Sequence, residues 1–395
     1  MKKLLAIALC YLPLALNSQT NPEVYLLDIV KDGDSLLFLN PRNISNNEGY
    51  DNQPSFFDDK HLLYSSTRNE QTDIKKYIIS SGEASWLSDT PNGSEYSPLR
   101  IPGTNDISAI RLDNDGTQLL YRYSTTQETP EVLLKDMKVG YHLWFNRDIL
   151  ITTVLTEGRM DLVVTNFKDN SSYTVQKNVG RSLHKIPNSN LISYISKDDV
   201  LGTIKSLDPI SGATKEITRL FLMKDDVCWL ADGTLLTGYG NMLYSYHPKK
   251  EDDWKLTHTF EDNSINLISR LAVNSNATRL AMVADISPEV VVQKQIVAFN
   301  TRDLDAFLDT FSDDAKVYGY GGLLLYQGKQ KIKQEFATYF DSAPDINYSI
   351  EKKIVMDNKV HHEALITANN KTLVTTYYYT VANGKISSLT FFVAP

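Results

Sequence analysis

"CWLADGTLLTGYG", residues Cys228–Gly240, sets two short apolar runs on either side of Ala231-Asp232-Gly233. Asp-Gly between apolar runs signals a tight turn, because glycine reaches positive φ without steric cost, so the stretch predicts a β-hairpin. The same plan recurs as "SFFDDKHLLYSS", "LRIPGTNDISAIR", "LWFNRDILITT", "LHKIPNSNLISYIS" and "LAVNSNATRLAMVA". The first apolar residues after the turns are Leu62, Ile107, Ile149, Leu191, Leu235 and Leu280, spaced by 45, 42, 42, 44 and 45 residues. A period of this length built from strands predicts a β-propeller, in which each four-stranded blade buries its faces against its neighbours.

"DIKKYIISSG", "DNDGTQLLYRYS" and "TIKSLDPISGATKEI" supply further strands of the repeat. The stretch around Asp113, Asp115 and Gly116 lacks the remaining oxygen ligands of an EF-hand, so calcium is not expected there. After "RLAMVAD" the chain meets Pro288, which leaves the sixth repeat two strands short. The surplus lies at the other end: "EVYLLDIV" and "SLLFLN", joined by Lys31-Asp32-Gly33-Asp34, predict a hairpin over 23–39 that completes the last blade. The expected architecture is mainly β, a six-bladed β-propeller over 21–285 closed by its N-terminal hairpin, followed by a second domain.

That second domain, expected over 288–395, opens with "FNTRDLDAFLDTFSDD", Phe299–Asp314, read as an amphipathic helix with Leu304, Phe307, Leu308 and Phe311 on one face. Strands and another helix follow, predicting an α+β cone of three helices on a curved antiparallel sheet.

Two family resemblances follow from these residues. The repeats with their Ala231-Asp232-Gly233-type turn resemble TolB-like propellers over about residues 21–285. This implies an exported protein that binds other molecules on its propeller faces, with no catalytic residues to carry over. Turns "FNRDI", "PNSNL" and "NSNAT" depart from the Asp-Gly pattern, and asparagine is expected to supply positive φ instead. The segment "VVQKQIVAFNTRDLDAFLDTFSDDAKVYGYGG" with "VANGKISSLTFF" resembles the SnoaL-like members of the nuclear transport factor two-like superfamily. Its steroid isomerases use an Asp base and a Tyr–Asp oxyanion hole. The resemblance puts Gln295 where the Tyr stands, Gly319 where the base stands and Tyr377 near the second acid. Glycine abstracts no proton, so isomerase chemistry of that type is not expected.

Lys2 and Lys3 precede the apolar run Leu4–Leu16, and Ser18 offers a cleavage point. Residues 1–18 therefore read as a signal peptide, too short to span a bilayer stably, and the expected location is periplasmic or secreted. Cleavage removes two lysines and no acids, taking the net charge from −8 to −10. This disfavours nucleic acid as a partner. Cys228 would be the only cysteine left, so no internal disulfide is expected.

Tyr50, Tyr96 and Tyr141 lie 46 and 45 residues apart and are expected at equivalent places near one channel mouth. Arg100, His142, His184 and Arg270 join them as a candidate ligand surface for a protein or glycan partner. In the cone, Tyr318, Tyr339, His362 and Tyr377 are the candidate contacts for a small apolar ligand, among aromatic wall candidates that include Phe299, Phe311, Tyr320, Tyr326, Phe336, Tyr378 and Tyr379. In His361-His362-Glu363 only His361 and Glu363 share a strand face, so neither a metal nor a cofactor is expected. Hydrolase and nucleotide-binding motifs are missing, which favours a binding protein over an enzyme. Consecutive aromatic residues on the last two strands make both sheet faces apolar and predict a homodimer through that sheet, with docking onto the propeller as the alternative.

Overall fold

The computed structural model describes residues 21–393 except 34, 48, 70, 127–128, 262–264, 357 and 383. The signal peptide expected over 1–18, and Asp34 of the first turn, lie outside the described residues. Up to Asp285 the chain forms six four-stranded antiparallel sheets. Five are consecutive in sequence, over 51–86, 93–134, 139–176, 179–219 and 228–259. The sixth combines both ends of this region: Pro22–Asp32 pairs with Ser35–Asn43 on one side and with Arg279–Asp285 on the other, and Asn266–Val273 completes it. The second arm of the hairpin thus runs to Asn43, past its expected end at residue 39.

The sheets hold together because their central strands are apolar on both faces. Along Pro22–Asp32, Tyr25, Leu27 and Ile29 pack with Leu236, Leu243 and Phe260 of the fifth sheet. Val24 and Leu26 pack with Leu62, Tyr64 and Tyr77 of the first. Similar clusters lie between first and second, second and third, third and fourth, and fourth and fifth sheets. Each sheet therefore buries both faces, and the sixth meets the first. Polar ties repeat across these seams. Trp144 Nε1 donates to Ser108 Oγ at 2.9 Å, and Trp229 Nε1 donates to Ser193 Oγ at 2.8 Å, each joining the first strand of one sheet to the second strand of the preceding sheet. Asn274 Nδ2 donates to Asp59 Oδ1 at 3.1 Å between the sixth sheet and the first.

The turns follow backbone chemistry with two corrections. Gly116 and Gly233 take positive φ in the Asp-Gly turns, and Asn188 does so in "PNSNL". In "NSNAT" the left-handed residue is Ala277 rather than an asparagine, held by Asn274 Oδ1, which accepts from the amides of Thr278 and Arg279. In "FNRDI" no residue is left-handed: Asn146 Oδ1 accepts from the amides of Asp148 and Ile149 and closes the turn itself.

After Asp285 come helices α1 (Pro288–Thr301), α2 (Leu304–Asp309) and α3 (Lys329–Ser342) on one six-stranded sheet. The stretch read as one helix over 299–314 is broken. Arg302 caps α1 in the left-handed conformation, Asp303 caps α2 by accepting from the Ala306 amide, and Phe311 opens a strand. The sheet is also not wholly antiparallel, because Phe311–Tyr318 runs parallel to Lys385–Val393. Among the described residues no helix is long and apolar enough to cross a membrane.

One buried network between the first two sheets generates a pH test. Ser88 Oγ lies 3.1 Å from Asp73 Oδ1 and 3.0 Å from Glu95 Oε2, and its single proton cannot serve both. Burial raises the Glu95 carboxyl to about 7, against hydrogen bonds from neighbours that include Tyr123. Burial acts the same way on Asp73, but hydrogen bonds from Arg68 and Gln71 hold it below the usual range. The fold therefore prefers neutral Glu95, whose ionisation cost begins above the unfolded carboxylate range near pH 4.5 and is complete above about 7. Glu95→Gln should leave the melting temperature nearly unchanged at pH 4.5 and stabilise by ~2 kcal/mol at pH 8, read from paired thermal melts. Deleting residues 21–43 should lower the melting transition far more than a surface-loop deletion of equal length, since Arg279–Asp285 loses one of its two partner strands and two apolar clusters lose a wall.

Candidate functional site

The C-terminal domain encloses a cavity of about 420 Å³. Gln295 and Phe299, one helical turn apart on α1, form one wall. Tyr348, Tyr377, Tyr379 and Phe391 come from the sheet, and Phe336, Thr338, Tyr339 and Ser342 from α3. The sheet tyrosines are inward because alternate residues share a face, and they stack: Tyr377 lies 6.0 Å from Tyr379 and 5.9 Å from Phe391, between centroids. Asn300 ties α1 to the sheet, its Nδ2 donating to the Tyr348 carbonyl at 3.0 Å and its Oδ1 accepting from the Tyr348 amide at 2.6 Å.

The polar groups of this cavity are mostly neutral. Glu335 stands on its wall but is a third exposed and pairs with Lys331 at 2.6 Å. Deeper in, Tyr379 Oη donates to Tyr348 Oη at 3.4 Å, and Tyr348 Oη lies 3.0 Å from His362 Nδ1. Burial, helped by Lys353, lowers the His362 imidazole to about 4, so it is neutral at physiological pH. Burial pushes the Tyr348, Tyr377 and Tyr379 phenols well above their ordinary value. Gln295 is 3% exposed, and its Nε2 has no hydrogen-bond partner.

Of the residues expected here, Tyr339 and Tyr377 line the cavity. His362 does not: it is 1% exposed and sits behind Tyr348. Tyr318 is not on the wall either, and Tyr320, 77% exposed, lies against Phe392 on the other side of the sheet. Tyr378 also faces outward, stacked on His361 at 4.5 Å, because its strand neighbours Tyr377 and Tyr379 face inward. The outward aromatic row is thus His361, Tyr378, Phe392 and Tyr320. Gly319 lies outside the cavity wall, and a Cβ there would meet Leu325 Cδ1 at 3.4 Å. Gln295 was read only as a lost catalytic position. Its place one turn before Phe299 was the available signal that it faces inward.

The candidates in the first region separate. Tyr141, His142, His184 and Arg270 line a cavity of about 110 Å³ together with Arg181 and Asp226. Tyr50 and Tyr96 are outside its lining but beside it, ring against ring at 6.0 Å. Arg100 is elsewhere: its guanidinium lies over Phe57 and donates to the Thr104 carbonyl at 2.9 Å. It sits at the far end of its strand, so it does not join the group. Arg181 and Asp226 were missed, since they belong to different repeats and no local pattern joins them.

Residues 292–389 match the family model of the SnoaL-like domain. The C-terminal part of the chain is a SnoaL-like domain, and the region before it consists of many small antiparallel sheets. Among solved structures, an NTF2-like protein of unknown function from Cytophaga hutchinsonii is similar at 21% identity over 28% of this chain and 94% of its own, with a TM-score of 0.25. A cystatin-fold protein from Novosphingobium aromaticivorans matches at 20% identity over 27% and 97%, TM-score 0.26. A SnoaL-like protein of unknown function from Burkholderia thailandensis matches at 15% identity over 27% and 95%, TM-score 0.25. No curated protein matches the chain.

An unpaired buried amide N–H is a cost that an apolar isostere avoids. Gln295→Met should therefore raise the stability of the ligand-free protein by ~1–2 kcal/mol in thermal or denaturant unfolding.

Proposed function

We propose that this is an exported binding protein of the bacterial envelope that holds a small, flat, largely apolar ligand in its C-terminal domain. The observation that carries this reading is the wall of Phe299, Phe336, Tyr377, Tyr379 and Phe391 around a cavity that also meets the Gln295 amide, whose Nε2 has no hydrogen-bond partner among the described residues. Stacked rings suit a planar ligand, and an unpaired amide NH2 suits a carbonyl or ether oxygen on it. Gly319 at the position of the family's base, outside the wall, supports binding rather than proton abstraction. The six sheets, each packed on the next and the last on the first, support a six-bladed propeller whose faces receive a protein or glycan partner. The outward row of His361, Tyr378, Phe392 and Tyr320 supports pairing of two copies through the C-terminal sheet.

A second reading rests on the Tyr379–Tyr348–His362 chain. Tyr348 is on the cavity wall and His362 behind it is neutral, so the pair suits general acid–base work on a bound ligand. Titrating fluorenone and fluorene, which differ in one carbonyl, separates these readings. Wild type should prefer fluorenone by about tenfold and Gln295→Met should not, as read by quenching of intrinsic fluorescence. Equal affinity for the two probes in wild type overturns the Gln295 role. Turnover of a ligand that His362→Ala abolishes while binding persists establishes the enzyme reading instead.

A further inference from the structure

The small cavity in the first region carries its own chemistry. Arg181, Asp226 and Arg270 form a partition between it and a second cavity of about 220 Å³. Arg270 Nη1 lies 3.2 Å from Asp226 Oδ2, and Arg181 Nε lies 3.4 Å from the same oxygen, so one carboxylate serves two guanidiniums. Of the other acids nearby, Asp225 pairs with Lys197, and Asp285, on the wall of the second cavity, is raised to about 6 by burial. The partition keeps one positive charge in excess.

Donors also remain open. Arg270 Nη2 donates to Tyr141 Oη at 3.3 Å, which leaves the tyrosine proton unused. Arg181 spends Nη2 on the Ser269 carbonyl at 2.7 Å and Nε on the Asp225 carbonyl at 3.2 Å, leaving Nη1 with no protein partner among the described residues. His142 is 5% exposed and its Nδ1 has no hydrogen-bond partner among the described residues. Its Nε2 lies 2.7 Å from Ser108 Oγ, whose proton has only the Leu99 carbonyl at 3.4 Å as an alternative acceptor. The shorter contact takes that proton and puts the imidazole proton on Nδ1, a donor without an acceptor. Burial holds this imidazole to about 3, so it donates as a neutral group.

We propose that this cavity is a carboxylate site in which Arg181 and Arg270 neutralise the anion and Tyr141 and His142 donate to its oxygens. Its volume, about 110 Å³, admits a carboxylate and a short stem, as in a small monoanionic organic acid or the free C-terminus of a peptide chain. Fork-shaped guanidiniums bind planar carboxylates through paired N–H donors, and a surplus charge in a recess makes the monoanion preferable to its neutral amide. The site stands on its own residues, independent of what the C-terminal cavity holds.

The test uses the whole protein in carboxylate-free buffer, with calorimetry and thermal shift against acetate, acetamide, and trialanine with a free or an amidated C-terminus. Acetate should bind and acetamide should not. Arg181→Gln and Arg270→Gln should each weaken acetate by about tenfold or more, and Asp226→Asn, which enlarges the positive surplus, should retain or tighten it. Tyr141→Phe, which loses only a hydroxyl, covers the case in which an arginine variant fails to fold, and should weaken acetate by a few-fold. If free-ended trialanine binds while its amide does not, the site takes chain ends; if acetate alone binds, it takes small acids. Absence of binding by both acetate and trialanine overturns the proposal, as does equal response to acetate and acetamide, or acetate affinity unchanged by Tyr141→Phe and by whichever arginine variants fold.

Discussion

A β-sheet with two apolar faces cannot stop at one neighbour, and the first 285 residues are organised by that constraint. Pro22–Asp32 is buried on both sides along its first six positions, and the second strands Ile149–Thr156 and Ile192–Ser196 are likewise buried over five consecutive residues. A strand that alternated apolar with polar would be content facing water on one side; these are not. Each sheet therefore needs a sheet before it and one after it, and a linear stack would leave two bare faces at its ends. Contact between the sixth sheet and the first removes both.

The same constraint explains why polar chemistry concentrates where it does. Apolar seams occupy most of the faces, so charges that are buried lie where those seams end or are interrupted. There they must be paired or remain exposed to a ligand. Asp226, placed between the fourth and fifth sheets, reaches the sixth through Arg270 and the Leu271 amide, whose nitrogen lies 3.0 Å from Oδ1. In the C-terminal domain the division is sharper. The inward face of the sheet carries tyrosines whose hydroxyls pass hydrogen bonds among themselves to His362, while the outward face carries a second aromatic row.

Much of this was legible in residue spacing. The 42 to 45 residue period located the hairpins, because turns recur wherever a strand must reverse, and turn chemistry is local. The two-strand deficit after Asp285 likewise pointed back to the N-terminal hairpin. What stayed hidden was nonlocal or hinged on one residue. Arg302 breaks the helix by taking a left-handed conformation that no pattern of apolar residues announces. The parallel pairing of Phe311–Tyr318 with Lys385–Val393 joins strands nearly seventy residues apart. Arg181, Asp226 and Arg270 come from three repeats and meet only in three dimensions, and Arg100 shared their composition without sharing their end of the sheet. The cone aromatics were readable as a group. Which of them faced inward depended on strand phase, and Tyr378 is separated from Tyr377 by one residue and a whole sheet.

The pairing of Pro22–Asp32 with Arg279–Asp285 also governs the order in which the molecule can be made. A chain emerging from its N-terminus presents this doubly apolar strand early, but its second partner follows some 250 residues later. Five sheets have all four of their strands in hand before that moment, whereas the sixth is two local hairpins that only the late pairing can join. The entropy of so long a loop is only slowly more costly than that of a short one, so the delay is set by transit rather than by thermodynamics. Until Asp285 arrives, Pro22–Asp32 is paired along one edge only, by Ser35–Asn43, and the protection of its other edge and its apolar faces falls to whatever accompanies the nascent protein.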